Sequence, residues 1–214
     1  MATRSRAAAH EAALGFRAHS GWAALVAVAG PVAEPQAVLR RRVELSRLTP
    51  RQPFHAAEGR PFAEAEDLVR RSTDEAAGLA ERAVRDALGE LRAKGHALVA
   101  TGLLAAAGRP LPGLREVLAS HALIHAAEGE LFRDVLRRAS RGCGLALVEV
   151  RERELEGRAA RSLRRRAPEL QERLARWGKD LGPPWTQDEK RAALVAWVAL
   201  ADGGEAARPG SLAP

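Results

Sequence analysis

The 214-residue chain has one cysteine, no tyrosine and no long apolar run, and only Lys94, Lys179 and Lys190 among its 34 basic residues are lysines. Each shortage excludes something. Cys143 has no partner for an internal disulfide, which excludes a stapled secreted scaffold and suits a reducing compartment. The longest apolar stretch, Trp22 to Gly30, falls far short of the roughly 20 residues a membrane helix needs. The N-terminal arginines of MATRSRAAAHEAALG have no apolar core after them, so a secretory signal is not expected and the cytoplasm is the expected compartment. With four tryptophans and four phenylalanines, stacking platforms for single-stranded nucleic acid are not evident. There is no P-loop, no G-x-G-x-x-G and no zinc-finger spacing.

What is present reads as a globular domain. Hydrophobic residues make up 46% and charged residues 29%, which argues against global disorder. The net charge of +7 invites a nucleic-acid partner. Arginine and alanine excess also follows from a GC-rich genome, so composition alone leaves both accounts open.

Along the chain, residues 1–12 read as a disordered tail, residues 13–202 as a single domain and residues 203–214 as a second disordered tail. Leu14, Phe16 and Ala18 alternate with Gly15 and Arg17 as in a strand, and Ser20-Gly21 breaks the run. Trp22–Ala29 is a short apolar strand stopped by Gly30-Pro31. Val38–Leu45 alternates Leu39, Val43 and Leu45 against Arg40, Arg42 and Glu44. Three such strands with short connections predict an antiparallel meander. After a loop with Pro50, Pro53 and Pro61 come helical signals from Phe62, a possible cap at Ser72 with Glu75 three residues on, and a stripe from Leu79 to Leu91. His96–Leu104 and Leu145–Val150 read as strands, and Leu114–Arg141 as one long helix between them. Helices over 152–166 and 168–177 follow, then a last helix after Pro183-Pro184 with Thr186 as N-cap and Glu189 as its capping-box partner. The predicted class is α/β: a mixed five-stranded sheet in the order β-β-β-α-β-α-β-α, with helices on both faces.

That order resembles the ribonuclease H-like fold, and the local text resembles its RuvC-type resolvase branch, as found in bacterial proteins of this architecture. Gly15-Phe16-Arg17-Ala18-His19-Ser20-Gly21 sits where such proteins carry a glycine-hydrophobic-aspartate-x-glycine first strand and turn. Leu98–Gly102, Leu145–Arg151 and Trp185–Leu194 resemble the fourth strand, the fifth strand and the closing helix. The resemblance implies carboxylates from the first strand, the fourth strand and the last helix holding two divalent metals such as magnesium. Here the first-strand position matches Arg17 and the fourth-strand position Thr101 or Gly102; only Asp188, with Glu189 beside it, remains on the last helix. The resemblance therefore implies a ribonuclease H-like domain without two-metal nuclease activity. Arg17, His19, Arg40 and Arg42 are then candidate nucleic-acid contacts, and Arg164-Arg165-Arg166 is a second basic run. For both runs a plain solvated face is the competing reading.

A second constellation lies on the long helix. Leu114, Leu118, His121, His125, Glu128, Phe132, Val135 and Ala139 follow steps of four and three, placing two histidines and a glutamate in an apolar stripe. Histidines four apart share a face, as in the zinc-binding H-E-x-x-H helix, so His121, His125 and Glu128 are candidate metal ligands or acid–base catalysts. The residue after His121 is Ala122, so the general base of that motif is missing. The competing reading is a buried cluster in which Glu128 orients a histidine and pairs with Arg17 or His19, while Glu130 is solvated on the opposite side. The cofactor, if any, stays unassigned. The tryptophans Trp22, Trp177, Trp185 and Trp197 read as packing residues. A scaffold that docks a partner on the helix face around Trp197 is the third reading.

Overall fold

A computed structural model of the protein describes residues 10–47, 51–106 and 110–206. Five strands, β1 (His10–His19), β2 (Trp22–Ala29), β3 (Gln36–Glu44), β4 (His96–Ala105) and β5 (Ala146–Arg151), form one sheet in the order β3-β2-β1-β4-β5. The β1–β2 and β2–β3 pairs are antiparallel, whereas β1–β4 and β4–β5 are parallel. The meander and the two parallel crossovers are those the sequence predicts. Ser20-Gly21 closes the first hairpin, with Gly21 in the left-handed region where its missing Cβ removes the steric cost.

Seven helices among the described residues surround the sheet: α1 (Pro53–Ala57), α2 (Phe62–Ala93), α3 (Leu114–Leu118), α4 (His121–Gly142), α5 (Leu155–Leu163), α6 (Ala167–Leu181) and α7 (Gln187–Ala206). Helices α2 and α4 cover one face, packing Ala80, Val84, Phe132 and Val135 onto Leu14, Phe16, Leu25 and Leu103. Helices α5, α6 and α7 cover the other, packing Leu170, Trp177, Val195 and Trp197 onto Val26, Val28, Ala100 and Leu104. The central strands are buried from both sides, which is why β2 reads as a continuous apolar run rather than an alternation.

The closest approach is that of α7. A Cβ on Gly15 would lie 1.9 Å from the Ala192 carbonyl oxygen, and one on Gly102 would lie 2.3 Å from that of Val195. Two glycines on neighbouring strands thus let the helix backbone rest directly on the sheet. The N-terminus of α7 is capped as expected: Thr186 Oγ1 accepts from the Asp188 N–H at 3.2 Å, and Glu189 accepts from the Thr186 N–H at 2.7 Å. Thr186→Ala should therefore lower unfolding stability by about 1 kcal/mol, read from the denaturant midpoint.

Several expectations are corrected. The supposed first tail contributes residues 10–12 to β1, with Ala12 buried, and the supposed second tail contributes Gly203 to Ala206 to α7; residues 1–9 and 207–214 lie outside the described residues. Ser72 caps nothing, because the apolar stripe runs unbroken through α2 and its hydroxyl donates to the Leu68 carbonyl at 2.8 Å. The helix expected over 114–141 is interrupted at Ala119-Ser120, where Ser120 is extended. Arg164 ends α5 in a left-handed conformation and α6 starts at Ala167, so the 164–166 run is a loop, not a helix face. Trp197 is fully buried, donating to the Val32 carbonyl at 2.9 Å, and offers no docking face.

Candidate functional site

The C-terminal ends of β1, β4 and β5 meet the first turn of α7, and charged side chains converge there. Arg17, near the end of β1, donates from Nη2 to Glu152 Oε1 at 2.9 Å and also hydrogen-bonds Asp188 on α7. Glu152 begins a 3₁₀ turn just past β5, and the same Oε1 also accepts from Arg191. His19 Nε2 accepts from Arg17 at 2.9 Å and lies 3.2 Å from Asp188. Burial, then the nearby guanidinium groups of Arg17 and Arg42, push the His19 imidazole below its ordinary range, towards the neutral form. A cleft of about 260 Å³ opens here, lined by Arg17, Leu104, Arg133, Arg151, Glu152 and Arg153. Arg151 and Arg153 are the most solvent-exposed of its guanidinium groups.

The other expected basic contacts are distributed differently. Arg42 lies over the Trp22 ring at 3.7 Å from its centroid, and His19 stacks on the same indole at 4.3 Å with an interplanar angle of 10°. Trp22 is thus half-buried: it packs against the core as expected and also offers its indole to His19 and Arg42. Arg40 is turned inward, donating to the carbonyls of Gly182 and Pro184 in the loop before α7. Its charge fixes that loop.

The helical cluster is also rearranged. His121 and His125 share a stripe with Glu128, but they occupy the first turns of α4, where a small apolar cluster of Val117, Ile124 and Ala127, with Phe54, Leu111 and Leu123 packed against it, stands apart from the two main cores. Both histidines are exposed and Glu128 is buried. Glu128 pairs with neither Arg17 nor His19. Its Oε1 accepts from the backbone N–H of Phe54 at 2.7 Å and of His55 at 3.0 Å, and lies 3.3 Å from His55 Nδ1. Burial raises the Glu128 carboxyl above its ordinary value, against the pull of the hydrogen bonds from His55 and Phe54. His55, on α1, completes a group of three imidazoles that the spacing on α4 alone does not reveal. Pro53 at the first helical position was the one local signal of α1 in the sequence. Glu130, expected in solvent, is 39% exposed and pairs there with Arg133 and Arg137.

No family model matches the sequence, and no curated protein matches it. Solved structures do. The chain superposes on the Thermus thermophilus RuvC structure with a TM-score of 0.55 at 12% identity, covering 91% of this chain and 96% of that one. It superposes on T. thermophilus RuvC in complex with Holliday junction substrate with a TM-score of 0.53 at 13% identity, covering 88% and 92%. The fold is ribonuclease H-like.

Among the described residues, the carboxylate set that the RuvC-type resemblance implies for a two-metal site is not assembled. Arg17 places a guanidinium where the first-strand carboxylate is expected, and it already bridges Asp188 and Glu152. Strand β4, HALVATGLLA, contains no acidic residue. Gly102 has no room for a side chain against the α7 backbone, and Thr101, paired in register with Leu14, is buried. The carboxylates that remain face arginines rather than a vacant cation position. Among the described residues, no helix is long and apolar enough to cross a membrane.

Proposed function

We propose that this ribonuclease H-like domain binds nucleic acid at the C-terminal ends of its strands and does not cut it by the two-metal route. The observation that carries this reading is the Arg17 bridge to Asp188 and Glu152, in which a fixed cation of the chain stands where the mobile metal ions would act. A guanidinium neutralises carboxylates but has no coordination position for water, so it cannot generate the nucleophile. The same end of the sheet carries the exposed Arg151 and Arg153, and a RuvC of this fold has been solved with a Holliday junction. Branched DNA is accordingly the first ligand class to try.

The test is binding to four-way, duplex and single-stranded DNA across a salt series, with and without magnesium. Arg151→Glu with Arg153→Glu should weaken binding at least tenfold and lower the salt slope by about 0.9 for each phosphate that is no longer neutralised. No strand cleavage should appear in magnesium. Equal affinity in the double variant, or magnesium-dependent nicking by the purified chain, would overturn the reading.

A further inference from the structure

The three histidines at the α1–α4 junction are separate from the strand-end arginines and take no part in the function proposed above. We propose that His55, His121 and His125 hold one divalent transition-metal ion, zinc foremost, with the fourth position left to water and with Glu128 positioning His55.

The geometry is that of a ligand set. One nitrogen from each ring falls within 4.8 Å of the others. The Nε2 atoms of His121 and His125 are 3.1 Å apart; ligands at 2.0–2.1 Å in a tetrahedron lie about 3.3 Å from one another. The rings meet edge to face, at 85° for His121 with His125, 86° for His55 with His121 and 66° for His55 with His125. With centroids 4.6–5.6 Å apart, the three rings are gathered closely enough for one ion to reach a nitrogen of each.

A carboxylate stands behind each of two rings. Glu128 Oε1 lies against His55 Nδ1, which leaves Nε2 of that ring free for the ion, and Glu58 lies 3.7 Å from His121 Nδ1. Carboxylates in that position fix ring orientation and raise ligand basicity. The Glu128 side chain is 3% exposed and its second oxygen has no hydrogen-bond partner, a costly arrangement unless charge nearby repays it. A dication one imidazole away supplies that charge. An all-nitrogen set disfavours magnesium and calcium, which take oxygen ligands, and suits zinc, cobalt or nickel.

The first consequence is mechanical. Helix α1 has only five residues, and the ion would clamp it to the start of α4, so metal and fold stability are linked.

The experiment uses the full, tag-free chain, stripped with a chelator and titrated with Zn²⁺ and Co²⁺. One equivalent of zinc is expected, with the intense visible bands of four-coordinate cobalt and a rise in Tm of about 5–10 °C at a hundredfold excess over Kd. Since His121 and His125 are exposed, His121→Ala and His125→Ala should fold normally yet bind at least 100-fold more weakly. His10→Ala, at the far edge of β1, should bind like the wild type. Glu128→Gln keeps an acceptor for the Phe54 and His55 N–H groups and should lose 10–100-fold in zinc affinity with an unaltered circular-dichroism spectrum. Zinc bound equally by wild type and by the His121→Ala/His125→Ala variant, or less than one equivalent in the wild type, would overturn the site. Full affinity in Glu128→Gln would remove Glu128 from it.

Discussion

Gly15→Ala is expected to cost about 3 kcal/mol or more of folding stability, although it adds a single methyl group. The methyl would sit 1.9 Å from the Ala192 carbonyl oxygen and 2.7 Å from the Ala196 nitrogen. Both are backbone atoms of α7, so no side-chain rotation relieves the overlap. The strand cannot retreat either, because Gly15 pairs with Val26 on one side and Gly102 on the other. Relief requires lifting α7, whose residues Ala192 to Leu200 are all buried, from β1 and β4. Gly102→Ala meets Val195 in the same way and should behave alike. At 2–4 °C per kcal/mol for a chain of this size, either variant should lose roughly 10 °C in Tm. Gly89→Ala is the control: its methyl would meet nothing within 4 Å on an exposed helical position, and it should stabilise by about 0.5–1 kcal/mol. Gly15→Ala melting with the wild type would mean that α7 does not rest on the strands as described.

The close helix–sheet contact also explains what could and could not be read from the sequence. Strand β2 was legible to the residue because Ser20-Gly21 and Gly30-Pro31 bracket an apolar run too short for a helix. The start of α7 was legible because its capping box is a local chemical motif. Ser72-x-x-Glu75 has the same text, but it lies inside a continuous apolar stripe, and packing against the sheet overrides a cap the chain does not need. The break at Ala119-Ser120 was invisible, since the step-of-four pattern continues across it while the core beneath it ends. That mismatch turned His121 and His125 from expected core residues into exposed ones. His55 was out of reach for a different reason: it stands in a proline-rich connection, and its approach to α4 is a tertiary contact that no local period encodes. Glu152 was missed likewise, because only the folded sheet brings the end of β5 to Arg17.

Removing Arg17 is expected to convert a salt-bridged site into a cation-seeking one. Arg17→Ala leaves Asp188 with no guanidinium bond from β1, while Glu152 keeps Arg191. Because the pair is partly exposed, the loss should be about 1–2 kcal/mol, below the cost of breaking a fully buried pair. It should also depend on pH. In the wild type Arg17 disfavours protonation of His19, whose Nε2 lies 3.2 Å from Asp188. Burial and Arg42 still oppose the proton when Arg17 is removed, but the opposition is weaker, and His19 takes up a proton and pairs with Asp188 more readily than in the wild type. The destabilisation should therefore be largest at neutral and higher pH, where His19 is neutral in both proteins, and shrink as acidification protonates His19 in the variant before it does so in the wild type. Arg17→Asp goes further, gathering a third carboxylate beside Asp188 and Glu152. Millimolar magnesium should raise the Tm of that variant by several degrees and leave the wild type unchanged. Strand β4 would still contribute no carboxylate, so metal binding should return without strand cleavage. An equal magnesium response in wild type and Arg17→Asp would mean that the arginine does not occupy the place of the ion.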